Sequence, residues 1–246
     1  MDKDKPIIAL DFKKKEKAIH FLRLFNEETL NVKIGMELFY ASGPDFVKEV
    51  VEKGHQVFLD LKLYDIPNTV HQAMVQLAKL GVAMVNVHAS GGLAMMQAAK
   101  EGLEIGTDKQ TKRPILIGVT QLTSRKPDEN MREMQLAVSQ KESILHLAKL
   151  TKKSGLDGVV CSPLEVEQIK RTLGQDFLTI TPGIRLGEQL VSNDDQVRVA
   201  TPKKAREMGS DYIVVGRPIT NANHPKTVYH DIETAWIKAR KQAENE

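Results

Sequence analysis

The chain of 246 residues has a single cysteine, Cys161. One thiol can form no internal disulfide and no multi-cysteine metal site. A reducing, cytoplasmic setting is the simplest reading of that scarcity. No stretch approaches the roughly 18 consecutive apolar residues of a membrane helix. The amino-terminal MDKDKPIIALDF is charged, and its apolar run Ile7-Ile8-Ala9-Leu10 is too short for the core of a secretory signal. A strong charge of either sign is missing too. Lys and Arg total 35 against 32 Asp and Glu, a formal net charge of +3 with pI ≈ 8.8. The lysines are spread along the chain, and the small clusters Lys13-Lys14-Lys15 and Lys238-Ala239-Arg240-Lys241 read as solvated faces. Nucleic acid and membrane are therefore not expected as main partners. The chain also lacks a Gly-x-Gly-x-x-Gly after its first strand candidate, a low-complexity linker, and any sharp shift of composition.

What is present is ordinary for a globular chain, 41% hydrophobic and 27% charged. The dominant signal is alternation. Short β-branched or apolar runs predict strands at Ile7–Asp11, Val32–Met36, Gln56–Asp60, Met84–His88, Ile115–Thr120, Gly158–Cys161, Leu178–Thr181 and Tyr212–Val215. Helical spacing fills the intervals at Lys17–Phe25, Pro44–Lys53, Val70–Leu80, Gly92–Gly102, Ser143–Ser154, Pro163–Leu173, Pro202–Met208 and Thr227–Ala243. Gly54, Gly81, Gly155 and Gly209 stand where helix C-caps are expected. Eight strands alternating with eight helices predict an α/β fold, a single (β/α)8 TIM barrel over residues 1–246, and that architecture takes about 250 residues. Two long polar insertions, Thr123–Val138 and Gly187–Val197, are candidates for binding loops or lids.

In such a barrel the chemistry lies on the loops at the carboxyl ends of the strands. Those ends are polar here: Asp11, Lys33, Asp60 with Lys62, His88, Thr123, Arg185 and Arg217. In Asp60-Leu61-Lys62-Leu63-Tyr64-Asp65 the strand alternation puts Asp60 and Lys62 on one side. Lys33, ending the neighbouring strand, approaches Asp60 from the other side. A carboxylate beside a lysine favours the ammonium form, which suits a proton donor and not a Schiff-base nucleophile. A rim ion-pair network without catalytic work accounts for the same residues.

A second group is shaped for phosphate. Thr181-Pro182-Gly183-Ile184-Arg185 follows the seventh strand and Val214-Val215-Gly216-Arg217 closes the eighth. Loops at these two places frequently hold phosphate through glycine-exposed N–H groups, and arginine adds charge-assisted hydrogen bonds. Ordinary strand-to-helix turns are the alternative. His88 reads as a core or rim histidine, Cys161 as a small buried hydrophobe, and Met95 and Met96 as packing. Gly91-Gly92 is left without a role.

Taken together, Asp60-Leu61-Lys62-x-x-Asp65-Ile66-Pro67-x-Thr69, Ile7-x-Ala9-Leu10-Asp11, Val32-Lys33-Ile34-Gly35, Val85-x-Val87-His88-Ala89 and the two Gly/Arg loops resemble the orotidine 5′-phosphate decarboxylase family, its bacterial branch in particular. The similarity runs from residue 7 to about 230. The resemblance implies a cofactor-free, metal-free enzyme of pyrimidine biosynthesis converting orotidine 5′-phosphate to UMP and CO2. It implies that Asp11 and Lys33 hold the ribose and that Asp60 lies against the substrate carboxylate. Lys62 would protonate C6. Asp65, with Thr69, would complete the site of the partner in a homodimer, and Ile66 would contact substrate. Thr123 would contact the pyrimidine. Arg185, Gln196 and Arg217, with Pro182 and Gly216, would bind the phosphate end, the Gln196 loop closing over the ligand.

Two other readings use the same residues. Metal-dependent sugar-phosphate decarboxylases or aldolases share the match at Asp60, Lys62 and Asp65 but carry an acidic residue where Lys33 stands. A non-catalytic nucleotide-binding barrel would use the same phosphate loops, but has no need of the Asp60-Lys62-Asp65 array.

Overall fold

The computed structural model describes residues 1–187 and 199–243. The first half of the chain runs β1 (Ile7–Ala9), α1 (Lys15–Arg23), β2 (Asn31–Gly35), α2 (Met36–Glu52), β3 (Gln56–Leu63), α3 (Pro67–Ala78), β4 (Met84–His88) and α4 (Gly92–Gly106). It continues as β5 (Ile115–Val119), α5 (Pro127–Glu133), α6 (Gln140–Lys153), β6 (Gly158–Val160), α7 (Val166–Leu173) and β7 (Leu178–Thr181). The last elements are α8 (Pro202–Glu207), β8 (Tyr212–Val215), α9 (Arg217–Thr220) and α10 (Pro225–Ala243). Each strand pairs in parallel with the next and β8 pairs with β1, closing an eight-stranded barrel. This is the expected (β/α)8 architecture.

The strands are apolar along both faces because both faces are covered. Ile7 and Ala9 point inward and meet Phe58, Met84, Ile117, Ile180, Tyr212 and Val214 inside the barrel. Their neighbours Ile8, Val32, Leu59, Val85 and Leu116 point outward into a second core under the helices. Burying each such aliphatic side chain stabilises the fold by about 1.5–3 kcal/mol. α3 and α4 approach each other closely at Gly102, where an added Cβ would lie 2.2 Å from the His71 carbonyl oxygen.

All eight predicted strands are present, and the glycines at 54, 81, 155 and 209 take the left-handed conformation that ends their helices. Three differences have local causes. The second helix begins at Met36, not Pro44: Gly43 (φ 71°, ψ 179°) interrupts it, and Pro44 opens its second half. The insertion Thr123–Val138 contains the short α5, started by Pro127, and Ser139 and Glu142 then form a capping box that begins α6 earlier than its apolar spacing suggested. Finally, β3 runs past Asp60 to Leu63, through an irregularity that shapes the site. Of the second insertion, Gly187 is described; the rest lies outside the described residues.

Candidate active site

The top layer of the barrel interior, with Ala9, Phe58, Val119, Val160, Ile180 and Val214, forms the apolar floor of a cavity of ≈ 270 Å³ at the carboxyl ends of the strands. Its walls are charged. Asp11, Lys33, Asp60 and Lys62 line one side, and Arg185 and Arg217 line it from the loops after β7 and β8. In the closed strand order β7 lies four strands from β3, so Arg185 enters across the barrel from Asp60 and Lys62.

Of the predicted Lys33-Asp60-Lys62-Asp65 network, the first three members meet in this chain and Asp65 does not join them. Lys33 Nζ lies 3.2 Å from Asp11 Oδ1 and 3.3 Å from Asp60 Oδ2. Lys62 Nζ lies 2.7 Å from Asp60 Oδ1. The alternation argument for the last pair assumed a regular strand, and the strand is not regular. Leu59 pairs with Val85 and Leu63 with Val87, so β3 carries three residues where β4 carries one. Lys62 takes a left-handed φ of 51° inside this bulge, and the turn in the backbone brings its side chain back to Asp60.

Burial works to raise the pKa of Asp60, but the ammonium charges of Lys33 and Lys62, with hydrogen bonds from Lys62 and Asn86, hold the carboxyl below its ordinary range. Lys33 is the mirror case. Burial pulls it down, the carboxylates of Asp60 and Asp11 outweigh burial, and the net shift is upward. Both groups are therefore charged at neutral pH. His88 is pushed the other way, by burial first and the Lys62 charge second, with Asp60 opposing. Its ring meets Tyr64 edge-on at 5.8 Å.

On the far side, Gly183 adopts φ 80°, which turns the chain after β7. Arg185 N–H donates to the Ala200 carbonyl and Ala200 N–H to that of Gly183, at 2.9 and 3.0 Å. These bonds fix the base from which Arg185 reaches the cavity. At Gly216 a Cβ would stand 3.3 Å from Asp11 Oδ2, so glycine leaves the backbone open beside the carboxylate. Arg217 begins the four-residue α9 directly after it, the position where barrels of this kind often hold phosphate.

A family model described as orotidine 5′-phosphate decarboxylase / HUMPS matches residues 4–232. The chain belongs to the orotidine 5′-phosphate decarboxylase / HUMPS family. The orotidine 5′-phosphate decarboxylase of Listeria innocua is 56% identical over 233 residues, 95% of this chain and 99% of that protein. The crystal structure of an uncharacterized conserved protein from Geobacillus kaustophilus aligns with TM-score 0.84 and 47% identity, covering 94% of this chain and 99% of that one. That of orotidine 5′-phosphate decarboxylase from Lactobacillus acidophilus aligns with TM-score 0.84 and 43% identity, covering 94% and 98%.

The residues quoted for the orotidine 5′-phosphate decarboxylase resemblance fall into three sets. Asp11, Lys33, Asp60, Lys62, Thr123, Pro182, Arg185, Gly216 and Arg217 all line the cavity. Asp65, Ile66 and Thr69 do not: they are exposed, and Asp65 Oδ1 accepts a hydrogen bond from the Ile66 N–H at 2.7 Å. Gln196 lies outside the described residues. Among the described residues no group of three or more His, Cys, Asp or Glu side chains is placed to hold a metal ion. Among them, too, no helix is long and apolar enough to cross a membrane.

Sequence reasoning missed Asn86 and the cavity-lining Gln121 and Ser124. Asn86 had a usable signal. It is a lone amide inside the apolar run Met84–His88, at a position whose parity with Met84 aims it into the barrel.

Proposed function

We propose that the chain decarboxylates orotidine 5′-phosphate to UMP and CO2 in pyrimidine biosynthesis, without metal or cofactor. The observation that carries the reading is the Lys62 ammonium, held 2.7 Å from the buried Asp60 carboxylate at a cavity whose far rim bears two arginines. The family membership and the names of its close relatives support the same reaction.

In this reading Arg185 and Arg217, with the cavity-lining Gly183 and Gly216 and contact from Pro182, bind the phosphate. Gln196, outside the described residues, is assigned to the same phosphate. Asp11 and Lys33 hold the ribose, Thr123 contacts the pyrimidine, and Asp60 borders the carboxylate. The bond from C6 to the carboxylate breaks, CO2 leaves, and the electron pair stays on C6. Lys62 gives its proton to C6 and later recovers one from solvent. A fixed ammonium where negative charge develops stabilises the transition state electrostatically. Phosphate contacts far from C6 supply binding energy for orientation.

Asp65, Ile66 and Thr69 act in the site of a second copy. Their exposure supports this, as do Tyr64 and Ile66, apolar side chains flanking Asp65 that are 62% and 67% exposed. The metal-dependent alternative is disfavoured by Lys33, whose ammonium sits between Asp11 and Asp60, where a divalent cation would need a carboxylate.

The deciding experiment follows orotate absorbance when the purified protein meets orotidine 5′-phosphate in excess EDTA. Decay with UMP as product is expected. Activity that needs added Mg²⁺ would support the metal-dependent branch, and UMP binding without turnover would leave a binding barrel. Lys62→Ala is expected to abolish decay while UMP still binds; near-normal turnover would remove Lys62 from the chemistry.

A further inference from the structure

In the bulge of β3, Asp60, Leu61 and Lys62 face the single residue Asn86 of β4. Lys62 is held at a φ of 51°, a conformation unfavourable for a residue with a Cβ and kept only where the surroundings over-determine it. Asn86 supplies that constraint. Its Oδ1 accepts a hydrogen bond from the Lys62 backbone N–H at 2.8 Å. Its Nδ2 donates to Asp60 Oδ1 at 2.7 Å, the same oxygen that receives Lys62 Nζ. The amide's orientation follows from chemistry, since a backbone N–H can only donate and an ionised carboxylate can only accept. Asn86 is 2% exposed, so no water competes for either bond.

We propose that Asn86 is a positioning residue for the reaction, one amide that locks the Asp60 carboxylate and the Lys62 backbone into the geometry that aims the ammonium at the reacting carbon. No other uncharged side chain of this size replaces it. Leucine would leave both groups unanswered in a buried site, and aspartate would set oxygen against oxygen. The inference rests on the decarboxylase reading, and it deepens that reading by adding a residue with no substrate contact of its own.

The test compares Asn86→Ala and Asn86→Asp with the unmodified protein for turnover of orotidine 5′-phosphate, UMP affinity and urea unfolding. Freed of the amide, Lys62 loses its fixed direction, and Asn86→Ala is expected to lower kcat about 100-fold, the scale of a 1 Å misplacement. KM and UMP affinity are expected to stay within about threefold, because the phosphate contacts lie across the barrel. Asn86→Asp is nearly isosteric and keeps an acceptor for the Lys62 N–H, but it donates to Asp60 only while protonated. Around this contact stand Asp60 and Lys62 of β3, Lys33 of β2 and His88 of β4. Its kcat is therefore expected to fall as pH rises through an ionisation missing from the unmodified profile.

A kcat for Asn86→Ala within about threefold of normal overturns the proposal, as does a parallel fall of kcat and UMP affinity, which a merely structural residue would give. If Asn86→Ala does not fold, the Asn86→Asp profile decides, and a profile parallel to the unmodified one overturns the proposal. Normal turnover with an unaffected variant sinks the role of Asn86 alone. An unmodified protein that leaves the substrate intact sinks both readings.

Discussion

Replacing Lys33 by methionine keeps the length of the stem and deletes the charge. The ammonium lies 3.2 Å from Asp11 and 3.3 Å from Asp60, but the two arms differ in worth. The Asp11 side chain is 56% exposed, so water screens that arm and it contributes about 0–1 kcal/mol. The Asp60 side chain is 12% exposed, and removing one partner of such a buried pair costs about 3–5 kcal/mol. Lys62 and Asn86 stay on the other oxygen of Asp60, each at 2.7 Å, which holds the loss near the lower end, about 3 kcal/mol. Against a typical stability of about 5–15 kcal/mol the variant still folds.

The pH dependence sharpens the test. Asp60 has a depressed folded pKa, so its contribution is present above its unfolded pKa and lost as pH falls through the folded one. Without Lys33 that folded pKa rises. The deficit of Lys33→Met is then full at neutral pH and narrows in acid, because a neutral carboxyl needs no counter-charge. Urea unfolding at about pH 7.5 and about pH 4.5, with equal m-values, measures it. A neutral-pH loss below about 1 kcal/mol, or a deficit that widens in acid, refutes the reasoning.

Lys33 itself has a raised pKa, so its stabilisation of the unmodified protein is full below the unfolded lysine value and declines as pH rises through the folded one; alkaline urea titrations should show that decline and Lys33→Met should lack it. Arg217→Ala is expected to weaken UMP about 10- to 100-fold, the worth of a hydrogen bond to a charged group, and to leave uridine unchanged; calorimetry that found equal losses would contradict a phosphate role. If Asp65 serves a second copy as proposed, Lys62→Ala and Asp65→Ala, each inactive alone, should regain turnover when mixed, since a mixed dimer would hold one intact site; no recovery would refute that placement of Asp65. Gly102→Ala should destabilise by about 1–3 kcal/mol in thermal unfolding, because its Cβ meets the His71 carbonyl and not a movable side chain.

Most of the cavity was legible because strand ends in a barrel are read directly from apolar runs. Once eight runs are found, Asp11, Lys33, Asp60, Arg185 and Arg217 must share one rim. Lys62 was placed rightly by an argument from regular alternation that the backbone does not obey, since the bulge between Leu59 and Leu63 does the turning. A bulge leaves no period-two signature, so the bracing role of Asn86 was hidden even though a lone amide in the apolar run Met84–His88 marked the residue itself. The early start of the second helix was hidden by Gly43-Pro44, two residues that locally read as a beginning.

The sequence by itself determined the architecture and the inventory of charges, because periodicity and the spacing of apolar runs are local properties that burial enforces one element at a time. The tertiary structure decided the pairing of those charges. Which oxygen of Asp60 takes Lys33 and which takes Lys62, and how Asn86 ties β3 to β4, depend on strand pairing and on the bulge in β3, neither of which is a local property of the sequence. Side-by-side pairing of β2, β3 and β4 brings Lys33, Asp60 and Asn86 within hydrogen-bond distance, and the β3 bulge does the same for Lys62.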